Sequence, residues 1–194
     1  MSPAGDPGLV VTTPTDTQVV LTRRFAAPRR LVFAALTRPD LLKRWLGAQG
    51  WHLVEAQVDL RVGGAWRFVS RGPGGAAMGH GGEYRVVDPP ARLVYTESYD
   101  DQWYPGEALV EAVLTGAASD ESDEGGQSDE SDESDEGGAT VLTTTLTYPS
   151  RQVRDHVTRT PMERGVGDGY RRLDAVLADP RVRRTVEIQP GENR

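Results

Sequence analysis

The sequence predicts an α+β domain in which one curved antiparallel sheet packs around a long helix near the C-terminal end. Three observations carry this expectation. Apolar and polar residues alternate in several short runs separated by glycine- or proline-bearing turns, the pattern of an antiparallel sheet with one covered face. Two short segments of helical periodicity stand between the first such run and the rest. Finally, Met162, Val166, Tyr170, Leu173 and Leu177 recur at helical spacing as one apolar stripe, with Arg164, Asp168, Arg171 and Ala175 opposite. Gly165, Gly167 and Gly169 each weaken that helix by about 1 kcal/mol relative to alanine. Burying five large apolar side chains contributes roughly 8–15 kcal/mol. The helix therefore needs an apolar cover, which the strands supply. Gly165 and Gly169 share a flank where missing side chains permit close backbone approach or leave a gap.

In order, residues 1–17 form a Pro/Gly/Thr-rich disordered tail. Gln18 to Phe25 reads as the first strand. Pro28 opens a short helix carrying Leu31, Val32, Ala35 and Leu36, and Pro39 opens a second with Leu41, Leu42, Trp45 and Leu46, stopped by Gly47. The next run puts Val54, Ala56, Val58 and Leu60 on one face, before a tight turn at Gly63 and Gly64. Trp66 and Phe68 share a face of the following strand. A glycine-rich turn from Arg71 to Gly79 leads to a strand over Gly82 to Val86, and Arg92 to Tyr99 follows the break at Pro89 and Pro90. Glu107 to Thr115 and Thr140 to Tyr148 complete the sheet. Thr160 and Pro161 then set the start of the long helix, leaving Ser150 to Thr160 as a turn or short helix. Residues 179–194 read as a tail. The expected order is one strand, two helices, six strands and one long helix.

Charge is unevenly distributed. Residues 116–138 hold Ser-Asp-Glu five times, with ten acidic residues and no basic one. Outside them, 29 − 10 = 19 acidic residues face 22 basic ones, so the folded part is near +3 although the chain totals −7. With no large apolar residue, the segment is expected to be a disordered acidic insert in an otherwise continuous domain over residues 18–178. The absence of cysteine excludes disulfides and thiolate metal sites and fits a reducing, cytoplasmic setting. No run approaches the roughly 18 apolar residues of a membrane span. The two short helices carry only Arg38, Lys43 and Arg44 as nearby basic residues, too sparse a footprint for nucleic acid.

Several motifs, in order, carry a family resemblance: Phe25 to Thr37, Pro39 to Trp45, Asp59 to Phe68, Gly82 to Tyr84, Asp88 to Thr96, and Met162 through Gly165 to Leu173. Together they resemble the bacterial proteins similar to the C-terminal domain of the activator of heat-shock-protein-90 ATPase, within the START/Bet v-like (SRPBCC) superfamily. The resemblance spans about Gln18 to Ala178 and implies the helix-grip fold, a curved sheet wrapped around the C-terminal helix and an apolar cavity. The acidic insert and the Thr160–Pro161 break depart from the family pattern.

Catalytic signals are sparse. His52, His80 and His156 lie in unrelated segments without metal-ligand spacing, and no nucleophile elbow or phosphate-cradling loop is present, so no cofactor or metal is implied. His80, among glycines, reads as a loop histidine exposed to solvent. Glu97 shares a face with Leu93, Tyr95 and Tyr99 if the strand is regular; an apolar cavity there would raise its pKa and suit it to acid–base work, whereas a bulge or a place at the cavity edge would expose it to solvent. Trp66, Phe68, Tyr84, Tyr95, Tyr99 and Trp103 suit one concave surface, with Trp45 near its opening and Thr144 adding a hydroxyl. These residues, with Gly165 and Gly169, are the candidate pocket, with an ordinary filled core as the alternative reading of the aromatics. The favoured function is binding of a small apolar or partly apolar molecule. An interaction protein acting on the chaperone ATPase is the alternative, and a cyclase- or hydrolase-like enzyme a weaker one. Activation by the family's namesake involves two domains, so a chain with room for one is expected not to stimulate the chaperone.

Overall fold

The structure, a computed structural model, describes residues 8–100, 103–117 and 138–188. Eight strands form one antiparallel sheet: β1 (Val10–Thr12), β2 (Gln18–Phe25), β3 (His52–Val58), β4 (Ala65–Arg71), β5 (Ala77–Asp88), β6 (Arg92–Tyr99), β7 (Ala108–Ala117) and β8 (Ala139–Thr147). Their spatial order is β1-β2-β8-β7-β6-β5-β4-β3. Consecutive hairpins build β3 to β8, and β2 closes against β8 from Gln18↔Thr147 to Phe25↔Thr140. Helices α1 (Arg29–Thr37) and α2 (Pro39–Trp45) link β2 to β3, while α3 (Arg151–Arg159), α4 (Met162–Ala178) and α5 (Pro180–Ile188) follow β8. This is the α+β helix-grip architecture, with the long helix against the sheet.

Local chemistry explains the helix boundaries. Arg38 and Thr160, each preceding a proline, are extended (ψ 123° and 165°) and separate α1 from α2 and α3 from α4. The Ser150 side chain accepts from the Val153 amide at 3.3 Å and starts α3. The stripe on α4 is buried at Tyr170, Leu173 and Leu177, with Val176 beside it, while Arg164, Arg171 and Ala175 face solvent. Two further contacts fasten this helix. Arg23 of β2 donates to both carboxylate oxygens of Asp174 at 2.9 and 2.6 Å, and Arg172 donates to the carbonyl of Trp45 at 3.0 Å and to that of Gly47. The second satisfies carbonyls left open at the end of α2.

The structure corrects the sequence reading in four places. Val10–Thr12, in the expected disordered tail, pairs with Thr22 to Val20 as edge strand β1. The expected tail after residue 178 contains α5: the Asp179 carboxylate accepts from the Arg181 amide at 2.9 Å, Pro180 occupies the first turn, and Val182 is buried at 4% exposure. In β3 the register shifts between Leu53 and Glu55, so Leu53 points inward and Val54 is 42% exposed, reversing the expected phase at that end. The glycines before Gly82 are strand, not turn; only Gly72 to Ala76 reverses the chain. Most of the acidic insert, residues 118–137, lies outside the described residues, with β7 ending at Ala117 and β8 beginning at Ala139.

Because α5 adds apolar burial to α1 and α4, Val182→Ala is expected to cost about 1–2 kcal/mol. Urea unfolding measures it; an unchanged midpoint would show that α5 does not contribute to the fold.

Candidate functional site

Two buried clusters fill the domain. The larger joins α1, α2 and α4 to the inner faces of β4 to β8 around Phe25, Trp66, Leu93 and Leu173. The smaller gathers Val19, Leu21, Tyr104, Tyr148, Val153 and Val157 at the α3 end. A cavity of about 490 Å³ is lined by members of both.

Each wall follows from strand or helix periodicity. From β4, Trp66 and Phe68 face inward with ring centroids 4.8 Å apart. Tyr84 of β5 meets Tyr95 of β6 edge-on at 6.0 Å, and Tyr95 meets Trp66 at 5.4 Å. Leu93, Tyr95, Glu97 and Tyr99 line the cavity from alternate positions of β6. Trp103, in the loop after β6, packs edge-on against Tyr99 at 5.2 Å. Thr144 of β8 and Tyr170 of α4 both line the cavity, and the Tyr170 ring abuts Phe25 and Trp45. Gly165 and Gly169 bring α4 close to the end of α2: a Cβ at Gly165 would lie 3.4 Å from that of Ala48, and one at Gly169 3.7 Å from the Gly47 oxygen and Trp45. All eleven residues selected from the sequence thus surround one cavity.

His80 was the residue the sequence misplaced. It sits in β5 rather than in a loop, 8% exposed, stacked on Tyr99 at 4.8 Å and edge-on to Trp66 and Phe68. Burial, reinforced by the Arg67 guanidinium and partly opposed by Asp100, lowers its pKa to about 4, so the ring is neutral at pH 7. Its Nδ1 and the Trp66 Nε1 have no hydrogen-bond partner among the described residues. Arg67 and Asp100, at the outer surface, form a two-point ion pair across β5.

Glu97 is the electrostatic exception in this wall. Its surroundings are aromatic, and its Oε1 accepts from the Tyr104 hydroxyl at 3.1 Å. Loss of hydration raises its pKa to about 7, against the opposing effect of that hydrogen bond. Burial also pushes the phenols of Tyr84, Tyr95, Tyr99, Tyr104 and Tyr148 above their ordinary value, so they remain neutral donors. Among the described residues no group of three or more His, Asp or Glu side chains is placed to hold a metal ion.

Residues 26–123, more than half of the chain, match the family described as Activator of Hsp90 ATPase homolog 1-like protein. The chain belongs to that family. A crystal structure of a Rhodobacter sphaeroides protein is similar at 32% identity and a TM-score of 0.74, covering 88% of this chain and 98% of that one. A Mycobacterium smegmatis protein is similar at 22% identity and a TM-score of 0.68, covering 89% and 98%. The AHSA1 protein of Silicibacter pomeroyi is similar at 21% identity and 0.58, covering 83% and 97%. At the latter two identities the likeness is one of fold. No curated protein matches the chain. Within the Activator of Hsp90 ATPase homolog 1-like family, this member combines the helix-grip cavity with a wall whose described residues include one carboxyl group, that of Glu97.

Proposed function

We propose that this protein binds a small, largely apolar molecule in the cavity between the sheet and α4. The observation that carries the reading is the cavity itself: about 490 Å³, lined by aromatic and aliphatic side chains with a few hydroxyls and one carboxyl. That volume and mixture suit a compact ligand held by burial and oriented by a few polar contacts. No described helix is long and apolar enough to cross a membrane. The cysteine-free composition supports a cytoplasmic location.

Titration with a panel of apolar fluorescent probes is expected to show saturable binding. Gly169→Leu should weaken it about tenfold, because the added side chain meets Trp45 and the Gly47 carbonyl at the cavity wall. Tyr84→Ala should alter affinity in the same assay by enlarging the cavity. Native mass spectrometry of protein purified from its own host would show whether a molecule travels with it. Absence of saturable binding by every probe would remove the reading.

The family match supports a second reading, docking to the heat-shock-protein-90 ATPase. The described strands and helices build one domain around one sheet. Chaperone ATPase turnover is therefore expected to stay unchanged with excess protein at low and moderate salt. Several-fold stimulation would place the docking reading above ligand binding.

A further inference from the structure

Among the described residues Glu97 is the only acidic one lining the cavity, and no described lysine or arginine lines it. Its hydrogen bond among the described residues is the Tyr104 hydroxyl on Oε1, and it forms no ion pair among them. The groups that face it are neutral. Tyr95 and Tyr99 flank it on β6, Tyr104 stands in the following loop, Tyr148 lies beyond β8, and His80 contributes an uncharged ring from β5. Arg67, the cation nearest His80, is engaged by Asp100 outside the wall. The α4 residues on the cavity, Met162, Val166 and Tyr170 among them, bring no charge.

A half-buried carboxyl group held among apolar side chains without a cation is costly when ionised. A ligand that carries a cation relieves this cost. Ring faces within such a wall also attract a cation, with the strongest attraction at tryptophan. An anionic ligand would meet repulsion at Glu97. We propose that the ligand is an amine, its protonated nitrogen paired with the Glu97 carboxylate and its apolar body against Trp66, Tyr95, Tyr99 and Trp103. This rests on the ligand-binding reading above and names the chemical class that the site selects.

The consequence is a pH-dependent preference. Glu97 titrates near 7, whereas an alkylamine stays protonated to about pH 10, and His80 titrates well below the relevant window. Affinity for an amine should therefore rise as pH rises through 7, while affinity for a neutral ligand of the same shape should not. The test uses the full chain and a matched pair of probes, 2-(1-naphthyl)ethylamine and 2-(1-naphthyl)ethanol, titrated by calorimetry between about pH 5.5 and 8.5. The expected result is an amine affinity that increases about tenfold or more across the range, with the alcohol nearly constant. Glu97→Gln should abolish the amine's advantage and its pH dependence while still binding the alcohol. Tyr104→Phe removes the hydrogen bond that favours the carboxylate and should move the midpoint upward. Should either variant fail to fold, the pH profile of the natural chain decides alone. An alcohol that binds as tightly as the amine at pH 8.5 would overturn this proposal and leave the pocket intact. Failure of both probes to bind while the fluorescent panel still binds would overturn this proposal alone, and failure of every probe would remove the pocket reading with it.

Discussion

Gly82→Ala is expected to destabilise the fold by about 3 kcal/mol or more, whereas Gly169→Ala should stabilise it by up to about 1 kcal/mol. The chemical change is identical, so surroundings alone set the sign. A Cβ at Gly82 would lie 1.8 Å from the backbone oxygen of Thr96 and 2.6 Å from its carbonyl carbon. Backbone cannot rotate away as a side chain can, so β5 must separate from β6 where Tyr84 pairs with Tyr95. A Cβ at Gly169 meets nothing closer than 3.7 Å and gains the helix propensity that glycine lacks. Denaturant unfolding of both variants beside the natural chain is the measurement. Equal midpoints would show that β5 and β6 do not approach as closely as described.

The second large effect is on pH dependence. Glu97 has its pKa raised from 4.5 to about 7 on folding, so the folded state holds the proton more tightly than the unfolded one. Its neutral form imposes no charge burial below about pH 4.5. As pH rises from there to about 7 the folded protein loses stability, and above that the loss is constant. At 1.36 kcal/mol per unit the full shift corresponds to about 3 kcal/mol, reduced where water entering the cavity screens the charge. Glu97→Gln should accordingly match the natural chain at pH 4 and exceed it by about 2–3 kcal/mol at pH 8. Equal stability at both pH values would mean that Glu97 is solvated in the folded state.

These predictions rest on features of unequal visibility in the sequence. Period-two alternation was enough to put Trp66 with Phe68, and Leu93, Tyr95, Glu97 and Tyr99, on single faces, because pleating leaves a regular strand no other choice. The α4 stripe was legible for the same reason at the helical period. His80 was not, because Gly79, Gly81 and Gly82 imitate a turn. Glycine carries no apolar signal, and the close approach of β6 to Gly82 becomes apparent only with both strands in place. The bulge in β3 follows from pairing with β4, which local alternation does not encode. In α5 the Asp179–Pro180 start was present in the sequence, but Val182, Val186 and Ile188 give a weak apolar pattern against Arg181, Arg183 and Arg184. The Arg23–Asp174 pair joins residues 151 positions apart, beyond the reach of any local pattern.

The placement of β2 has a consequence for synthesis on the ribosome. Its edge neighbour β1 has three residues, so its long partner is β8, which ends at Thr147. While translation proceeds, Val19, Leu21 and Phe25 wait for a strand more than a hundred positions away, and α4 emerges later still. The hairpins from β3 to β7 form locally, but the layer that buries the first strand assembles last. Non-local pairing of this kind carries its loop-closure entropy before any contact offsets it, which slows folding. The nascent chain therefore carries β2 with its apolar face uncovered until β8 and α4 have emerged, and the interior closes only then.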